Sequence, residues 1–261
     1  VHPHLRIVRK QSLKQAYDLM FGYRILKEAG LVVALNKLEI DQFKGIGIRA
    51  DRIKVIPTGI DLAKYQNLPQ KGTFRAKHGI VGTEKVILFL GRVHQSKGID
   101  LLVEAFAELV KDLSGTKLII AGEDDGFLKT LKKLVMRLKI EDKVLFTGRI
   151  SGKDKISAYI DADVFVTPSF YGFPATFLEA WACSIPVVTT LKGSFIDEID
   201  GKAGFVVQYN KTELRDALLK LTTDERLRTQ FGQNGRELVE KCHDWDPLVK
   251  VMEQSYYDVV K

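Results

Sequence analysis

The feature that most constrains this chain is a recurrence of short apolar runs rich in β-branched residues, separated by longer amphipathic stretches. From position 86 onward the runs are VILFL (86–90), LIIA (118–121), VLF (144–146), VFVT (164–167), PVVT (186–189) and FVV (205–207). Short apolar runs alternating with helical patterns read as the βαβ units of a parallel sheet. Their near-continuous hydrophobicity predicts helices on both faces of that sheet. Residues 99–113 place Leu102, Phe106, Leu109 and Leu113 on one helical stripe, and residues 127–138 do the same with Leu128, Leu131, Leu134, Val135 and Leu138. Further helices are expected at 155–160, 176–183, 212–221 and 225–239. The expected fold class is α/β, a doubly wound parallel Rossmann-like sheet over residues 83–242. Such sheets bind ligands outside the carboxyl ends of their strands.

Residues 1–56 do not belong to that unit. A helix over 12–29, a buried strand over 31–35, a short helix over 39–44 and a strand over 53–56 are expected there. Two strands cannot enclose a core of their own, so 1–56 reads as the tail of a second, largely absent α/β domain. Turn residues Pro57-Thr58-Gly59 open an expected interdomain connection over 57–82. At the other end, Asp246 is expected to cap a last helix with Pro247 in its first position, making 243–261 a separate closing element. The chain does not begin with Met, and its true amino terminus is expected upstream.

Composition narrows the function classes. No run approaches the ~20 apolar residues of a membrane span and the first residues lack a signal-peptide core, so a cytoplasmic protein is expected. Cys183 and Cys242 lack partners at metal or redox spacing and read as free thiols in a reducing compartment. The formal charge of +7 and pI near 9.2 admit nucleic acid, an anionic membrane surface or a phosphate-bearing ligand. The cations are scattered through helices and no aromatic-basic RNA signature occurs, which disfavours nucleic acid. Peripheral contact with the inner face of an anionic membrane stays compatible with this charge.

Two clusters carry chemistry. The first expected strand of the complete domain ends in Gly91-Arg92-Val93-His94-Gln95-Ser96-Lys97-Gly98. A glycine there allows a sharp turn and a close ligand, while Arg92 and Lys97 bring two cations to the strand end. Such a pair suits a diphosphate, although a structural arginine and a solvated lysine would fit the loop equally well. The second cluster runs from Pro168 to Val188, where a glycine-and-proline loop precedes a short helix whose amide groups point back toward the strand ends. Glu179 lies on that helix. A carboxylate can accept from two adjacent hydroxyls, as a ribose presents them, although a helical glutamate is more often a solvent-facing charge.

Together, and in this order, the motifs resemble the family 4 retaining glycosyltransferases of the GT-B fold. The resemblance covers nearly the whole chain. It includes Val55-Ile56-Pro57-Thr58-Gly59-Ile60-Asp61, the loop with Gly91, Arg92, Lys97 and Gly98, then Ala121-Gly122, Phe146-Thr147-Gly148, the Pro168-Ser169 to Glu179-Ala180 block and Trp245. It implies that this chain is the donor-binding, C-terminal half of a hexosyl transferase. The donor would be a nucleoside-diphosphate sugar such as a UDP-, GDP- or ADP-hexose, and the acceptor a lipid, a glycan or a small molecule. Transfer would retain the anomeric configuration, with neither a bound metal nor a cofactor. By the same resemblance Arg92 and Lys97 would bind the diphosphate and Glu179 the ribose. Gly148, Arg149 and Ile150 would border the nucleobase, and Phe173, Pro174, Ala175 and Thr176 would line the sugar and phosphate site. Gly91 would let the phosphates approach, and the helix after Pro247 would brace the other domain.

One departure stands out. The family places a first glutamate eight positions before the second, where this chain has Tyr171, and its block is one residue shorter. Loss of that sugar contact favours an alternative reading, a nucleotide-sugar-binding module with a non-transferring site. An epimerase on the same fold is a weaker rival, because no acid/base constellation is visible on the helix. Several other residues have plainer explanations. His2 and His4 read as chain-end histidines and His94 as a loop residue. Phe177 and Trp181 read as core, and Asp100, Asp161 and Asp163 as helix caps.

Overall fold

The computed structural model describes residues 17–169, 174–191 and 196–260. These fall into two compact units, residues 1–59 with 242–261, and residues 60–241.

The larger unit holds a fully parallel six-stranded sheet. Its strands are β3 (Lys85–Leu90), β4 (Thr116–Ala121), β5 (Val144–Gly148), β6 (Val164–Thr167), β7 (Val187–Thr190) and β8 (Gly204–Val207), in the spatial order β5-β4-β3-β6-β7-β8. Along each strand successive side chains point to opposite faces. Val86 and Leu88 enter one core with Ile119, Phe165 and Val187, while Ile87 and Phe89 enter a second with Leu118, Ile120, Val164 and Val188. Because both cores are dry, the strands carry apolar residues at every position, which is why they stand out in the sequence. The second core is closed by helices α4 (Ile99–Asp112), α5 (Leu128–Leu138), α9 (Lys211–Thr223) and, through Phe231, α10 (Glu225–Cys242), while the short α8 (Ile196–Ile199) precedes β8. The first is closed by α6 (Gly152–Ile160) and α7 (Ala175–Ala182), with Tyr159, Phe177 and Trp181 fully buried. Trp181 Nε1 donates to the Ala203 carbonyl at 3.2 Å, so this indole is a packing residue with a satisfied polar end.

Residues 60–82, expected as part of a connection, are instead built into the larger unit. Leu62, Tyr65, Phe74 and Ile80 are buried in the first core. The reason is polar as well as apolar. Asp161, 1% exposed, accepts from the backbone N–H groups of Gly72 (2.5 Å), Phe74 (2.8 Å) and Arg75 (3.0 Å), at the start of α3 (Thr73–Lys77). Arg75 in turn donates to the Asp161 carbonyl and pairs with Asp163, which also accepts from Val86 N–H. The two aspartates therefore cap a segment almost ninety residues away in sequence rather than their own helix.

In the smaller unit β1 (Val32–Ala34) and β2 (Ile53–Val55) pair in parallel around a small core of Val32, Ala34, Phe43 and Ile48. Between them lies α2 (Lys37–Gly45), where Asn36 Oδ1 accepts from Glu39 N–H and Glu39 Oε2 accepts from Leu35 N–H, a reciprocal cap. The helix expected over 12–29 is continuous over residues 17–28 of its described part, with a local widening. A π-helical turn, Asp18–Gly22, precedes α1 (Tyr23–Glu28), the junction falling at Gly22, a weak helix former. The last described helix, α11 (Trp245–Val260), starts at Trp245 and not after Asp246. Leu248 N–H bonds back to the Asp244 carbonyl, and Pro247 falls in the first turn, where a missing N–H costs nothing. This helix packs within the smaller unit: a Cβ on Gly30 would meet Val259 at 2.6 Å, and one on Gly59 would meet Leu248 at 2.9 Å. His243 Nδ1 donates to the Thr58 carbonyl at 2.8 Å.

Candidate functional site

The strand order reverses between β3 and β6, so the loops leaving them diverge to opposite sides of the sheet and open a crevice beyond their carboxyl ends. The two clusters singled out in the sequence are the loops that follow these strands. The first is held by main-chain bonds to the end of β4, which is itself bonded to the end of β5. Gly91 N–H donates to the Ala121 carbonyl at 3.0 Å, Gly122 N–H to the Gly148 carbonyl at 2.8 Å, and Val93 N–H to the Glu123 carbonyl at 2.8 Å. A Cβ on Gly122, whose φ is +154°, would lie 1.7 Å from the Gly91 carbonyl oxygen, so only glycine permits these strand ends to meet. Gly98, at φ +67°, ends the loop; a Cβ there would meet Tyr209 Oη at 2.9 Å and Pro168 Cβ at 3.1 Å. Contact with Pro168 ties the loop after β3 to the start of the loop after β6.

Within this frame Arg92 is half-exposed and pairs with Asp125 on the loop after β4. An exposed pair of this kind contributes little to stability and gives way readily to a more highly charged anion. His94 is accounted for locally: its Nδ1 accepts from Ser96 N–H at 3.1 Å and lies 2.7 Å from Ser96 Oγ, capping the 3₁₀ turn Gln95–Lys97. Lys97 ends that turn and is partly buried. At the end of β5, Gly148 takes a left-handed conformation and is exposed with Arg149, while Ile150 packs against the first core.

Pro174 precedes α7, and among the described residues no side chain caps the first amide groups of the helix. Ala175 is exposed and Thr176 partly buried in its first turn. Phe173 and Tyr171 lie outside the described residues. Glu179 departs most from the sequence reading. Its carboxylate is only 16% exposed, with Oε1 paired to Lys155 Nζ and Oε2 accepting from Tyr159 Oη at 3.0 Å. Burial and then the Glu179 charge push the Tyr159 hydroxyl well above its ordinary range, and the same two causes push the Cys183 thiol up to about 12. Lys155 and Tyr159 went unremarked in the sequence. Their i, i+4 spacing on α6, directly after the Gly148-Arg149-Ile150 stretch, is the available signal.

Asp100 lies in the first turn of α4, as a cap would, yet its Oδ1 is buried without a hydrogen-bond partner among the described residues. None of the described helices is long and apolar enough to cross a membrane.

Known proteins are similar to this chain in sequence and in fold. Alpha-monoglucosyldiacylglycerol synthase of Streptococcus pneumoniae is 34% identical over 218 residues, 82% of this chain and 48% of that protein. Mannosylfructose-phosphate synthase of Agrobacterium fabrum is 30% identical over 277 residues, 95% of this chain and 61% of that protein. Among solved structures, Anabaena HepE in complex with UDP superposes with a TM-score of 0.81 at 21% identity, covering 90% of this chain and 65% of that one. The chain thus spans about half to two thirds of the length of the curated relatives it matches. The fold is that of the C-terminal Rossmann-like domain of GT-B glycosyltransferases. Residues 70–238 match the family described as glycosyl transferases group 1, and the chain belongs to that family.

Proposed function

We propose that this chain is the donor-binding part of a retaining, metal-independent hexosyl transferase. The observation that carries the reading is the crevice between β3 and β6, flanked by Arg92, Lys97 and the uncapped start of α7. In transfer, the bond between the sugar C1 and the diphosphate breaks with its electron pair leaving on the phosphate. The acceptor oxygen bonds to C1 on the face the phosphate leaves, which retains the configuration, and passes its proton to the departing phosphate oxygen. Negative charge therefore grows on the diphosphate, and cations and helix amides fixed beside it stabilise the transition state more than the ground state. A metal is not needed for that. Gly148, Arg149 and Ile150 border the base, Glu179 receives the ribose hydroxyls, and Phe173, Pro174, Ala175 and Thr176 line the sugar and phosphate. UDP in HepE supports a nucleoside diphosphate as the ligand class. The names of the lipid and sugar-phosphate relatives support lipid, glycan or small-molecule acceptors.

Replacing Arg92 or Lys97 with Ala is expected to weaken nucleoside diphosphate binding by about 1.5–3 kcal/mol, the range for hydrogen bonds to charged groups. The bare nucleoside should be nearly indifferent. Calorimetric titration of both ligands checks this, and equal losses for the two would remove the diphosphate assignment.

The missing first glutamate supports a second reading, a site that binds a nucleotide sugar without transferring it. A tyrosine at position 171 offers one neutral hydroxyl where a carboxylate would accept several bonds. The nucleotide sugar and the bare diphosphate are then expected to bind within about 1 kcal/mol of each other. Inserting Glu between Tyr171 and Gly172 should widen the gap in favour of the sugar. A native preference for the nucleotide sugar of about tenfold or more would show that another group has replaced the glutamate, and would end this second reading.

A further inference from the structure

A half-buried carboxylate is costly unless its oxygens are paired, and an unpaired one would swing between rotamers. Glu179 avoids both through a single neighbouring helix. Lys155 and Tyr159 stand one turn apart on α6, on the same face, and each takes a different oxygen of the carboxylate. Tyr159 is fully buried and Lys155 largely so, 27% of its side chain being exposed. Tyr159 Oη also lies 3.3 Å from the Thr176 carbonyl, within the first turn of α7. Its raised ionisation range keeps the hydroxyl protonated, so it remains a donor toward Glu179 throughout the working pH range. Tyr65 and Cys183 complete the surroundings as neutral groups: burial, and then the Glu179 charge, raise both.

An ionised carboxylate has about four lone-pair sites, so two bonds from α6 fix its plane and leave acceptor capacity for a diol. We infer that Lys155 and Tyr159 are positioning residues that aim Glu179 at the ribose 2′- and 3′-hydroxyls and so set the preference for ribonucleotides over 2′-deoxyribonucleotides. The inference rests on the ribose role proposed for Glu179. It also gives α6 a purpose, since the helix begins just past the Gly148 to Ile150 stretch and ends against the ribose carboxylate. One rigid element thereby joins the base-bordering and sugar-bordering parts of the nucleotide site.

The test is calorimetric titration of the 261-residue chain with UDP against 2′-deoxy-UDP, and with GDP against 2′-deoxy-GDP. The variants are Glu179→Gln, Lys155→Met, Tyr159→Phe and Lys155→Arg. The native chain is expected to prefer the ribonucleotide by about tenfold, one charge-assisted hydrogen bond's worth. Glu179→Gln should reduce that preference to about twofold or less, since the amide keeps only one acceptor oxygen. Lys155→Met and Tyr159→Phe should each cut it to about threefold through weaker ribonucleotide binding, leaving the deoxy ligand's affinity unchanged, and Lys155→Arg should restore it. Unchanged deoxy-ligand binding also certifies that a variant is folded. If Glu179→Gln abolishes the preference while Lys155→Met and Tyr159→Phe retain it in full, the positioning inference is overturned and the ribose role stands. If Glu179→Gln itself retains the preference, or neither ribonucleotide binds, the ribose role falls and the inference falls with it. Parallel losses for both ligands in Lys155→Met and Tyr159→Phe would mark a purely structural pair and also overturn it.

Discussion

Assayed alone with a nucleotide sugar and an acceptor, the 261-residue chain is expected to bind the nucleotide yet transfer sugar roughly a thousandfold or more slowly than a full-length relative. Holding two reactants in place is worth ~7–11 kcal/mol, so losing one partner's positioning outweighs any single side chain. The groups proposed to hold the donor lie between Gly91 and Glu179, within the larger unit. In the smaller unit the described core is small, Val32, Ala34, Phe43 and Ile48 with their partly buried neighbours and the buried Ile56, and β2 leaves Lys54 and Val55 exposed. A parallel sheet is normally covered on both faces, and a two-stranded one offers no walled pocket for an acceptor. Transfer further requires water to be shut out by closure around the donor. Radiolabelled sugar transfer measured beside nucleotide affinity checks both halves of the expectation. Transfer at a rate comparable to a full-length enzyme would show that the acceptor is held by groups within these 261 residues.

Asp161→Ala is the substitution expected to cost the most stability per atom removed. It would leave three main-chain donors, on Gly72, Phe74 and Arg75, without their acceptor in a buried setting. An orphaned buried donor costs about 1–3 kcal/mol, so a loss of at least ~3 kcal/mol is expected against a total stability of ~5–15 kcal/mol. Asp161→Asn, keeping one acceptor oxygen, should fall between. Chemical denaturation with an unchanged slope, together with new proteolytic cleavage around residues 66–72, would locate the damage in the segment that Asp161 ties down. A loss below about 1 kcal/mol would mean that water replaces the carboxylate, and that the apolar anchors Leu62, Tyr65 and Phe74 hold the segment unaided.

That segment also marks where sequence reading stops. The six strands and the helices between them are legible because each is a dense periodic signal: Val86 to Leu90 is apolar at every position, and residues 99–112 carry an unbroken stripe. The fold class puts the loops after β3 and β6 at the carboxyl end of the sheet, while the reversal of strand order between these two strands is visible in the structure. Residues 60–82 carry buried side chains spaced too irregularly to form a stripe, and their polar anchors are aspartates almost ninety residues downstream. Glu179 was visible as a residue but not as a network. Its partners come from another helix, 24 and 20 residues earlier, and no spacing rule links a lysine and a tyrosine to a carboxylate across two helices. The start of α11 was misplaced for a local reason, since Pro247 is equally at home anywhere in a helix's first turn.

The return of α11 to the smaller unit makes the larger unit, in topological terms, an insertion between the two parts of the smaller one. Synthesis order then separates their fates. Residues 60–241 are contiguous and can close their sheet once Lys241 has left the ribosome, while Gly30 and Gly59 must wait for Val259 and Leu248, which are made later. Contacts over such sequence separations form slowly. A nascent chain arrested near residue 241 should therefore already hold the larger unit folded, with the smaller unit still unfinished.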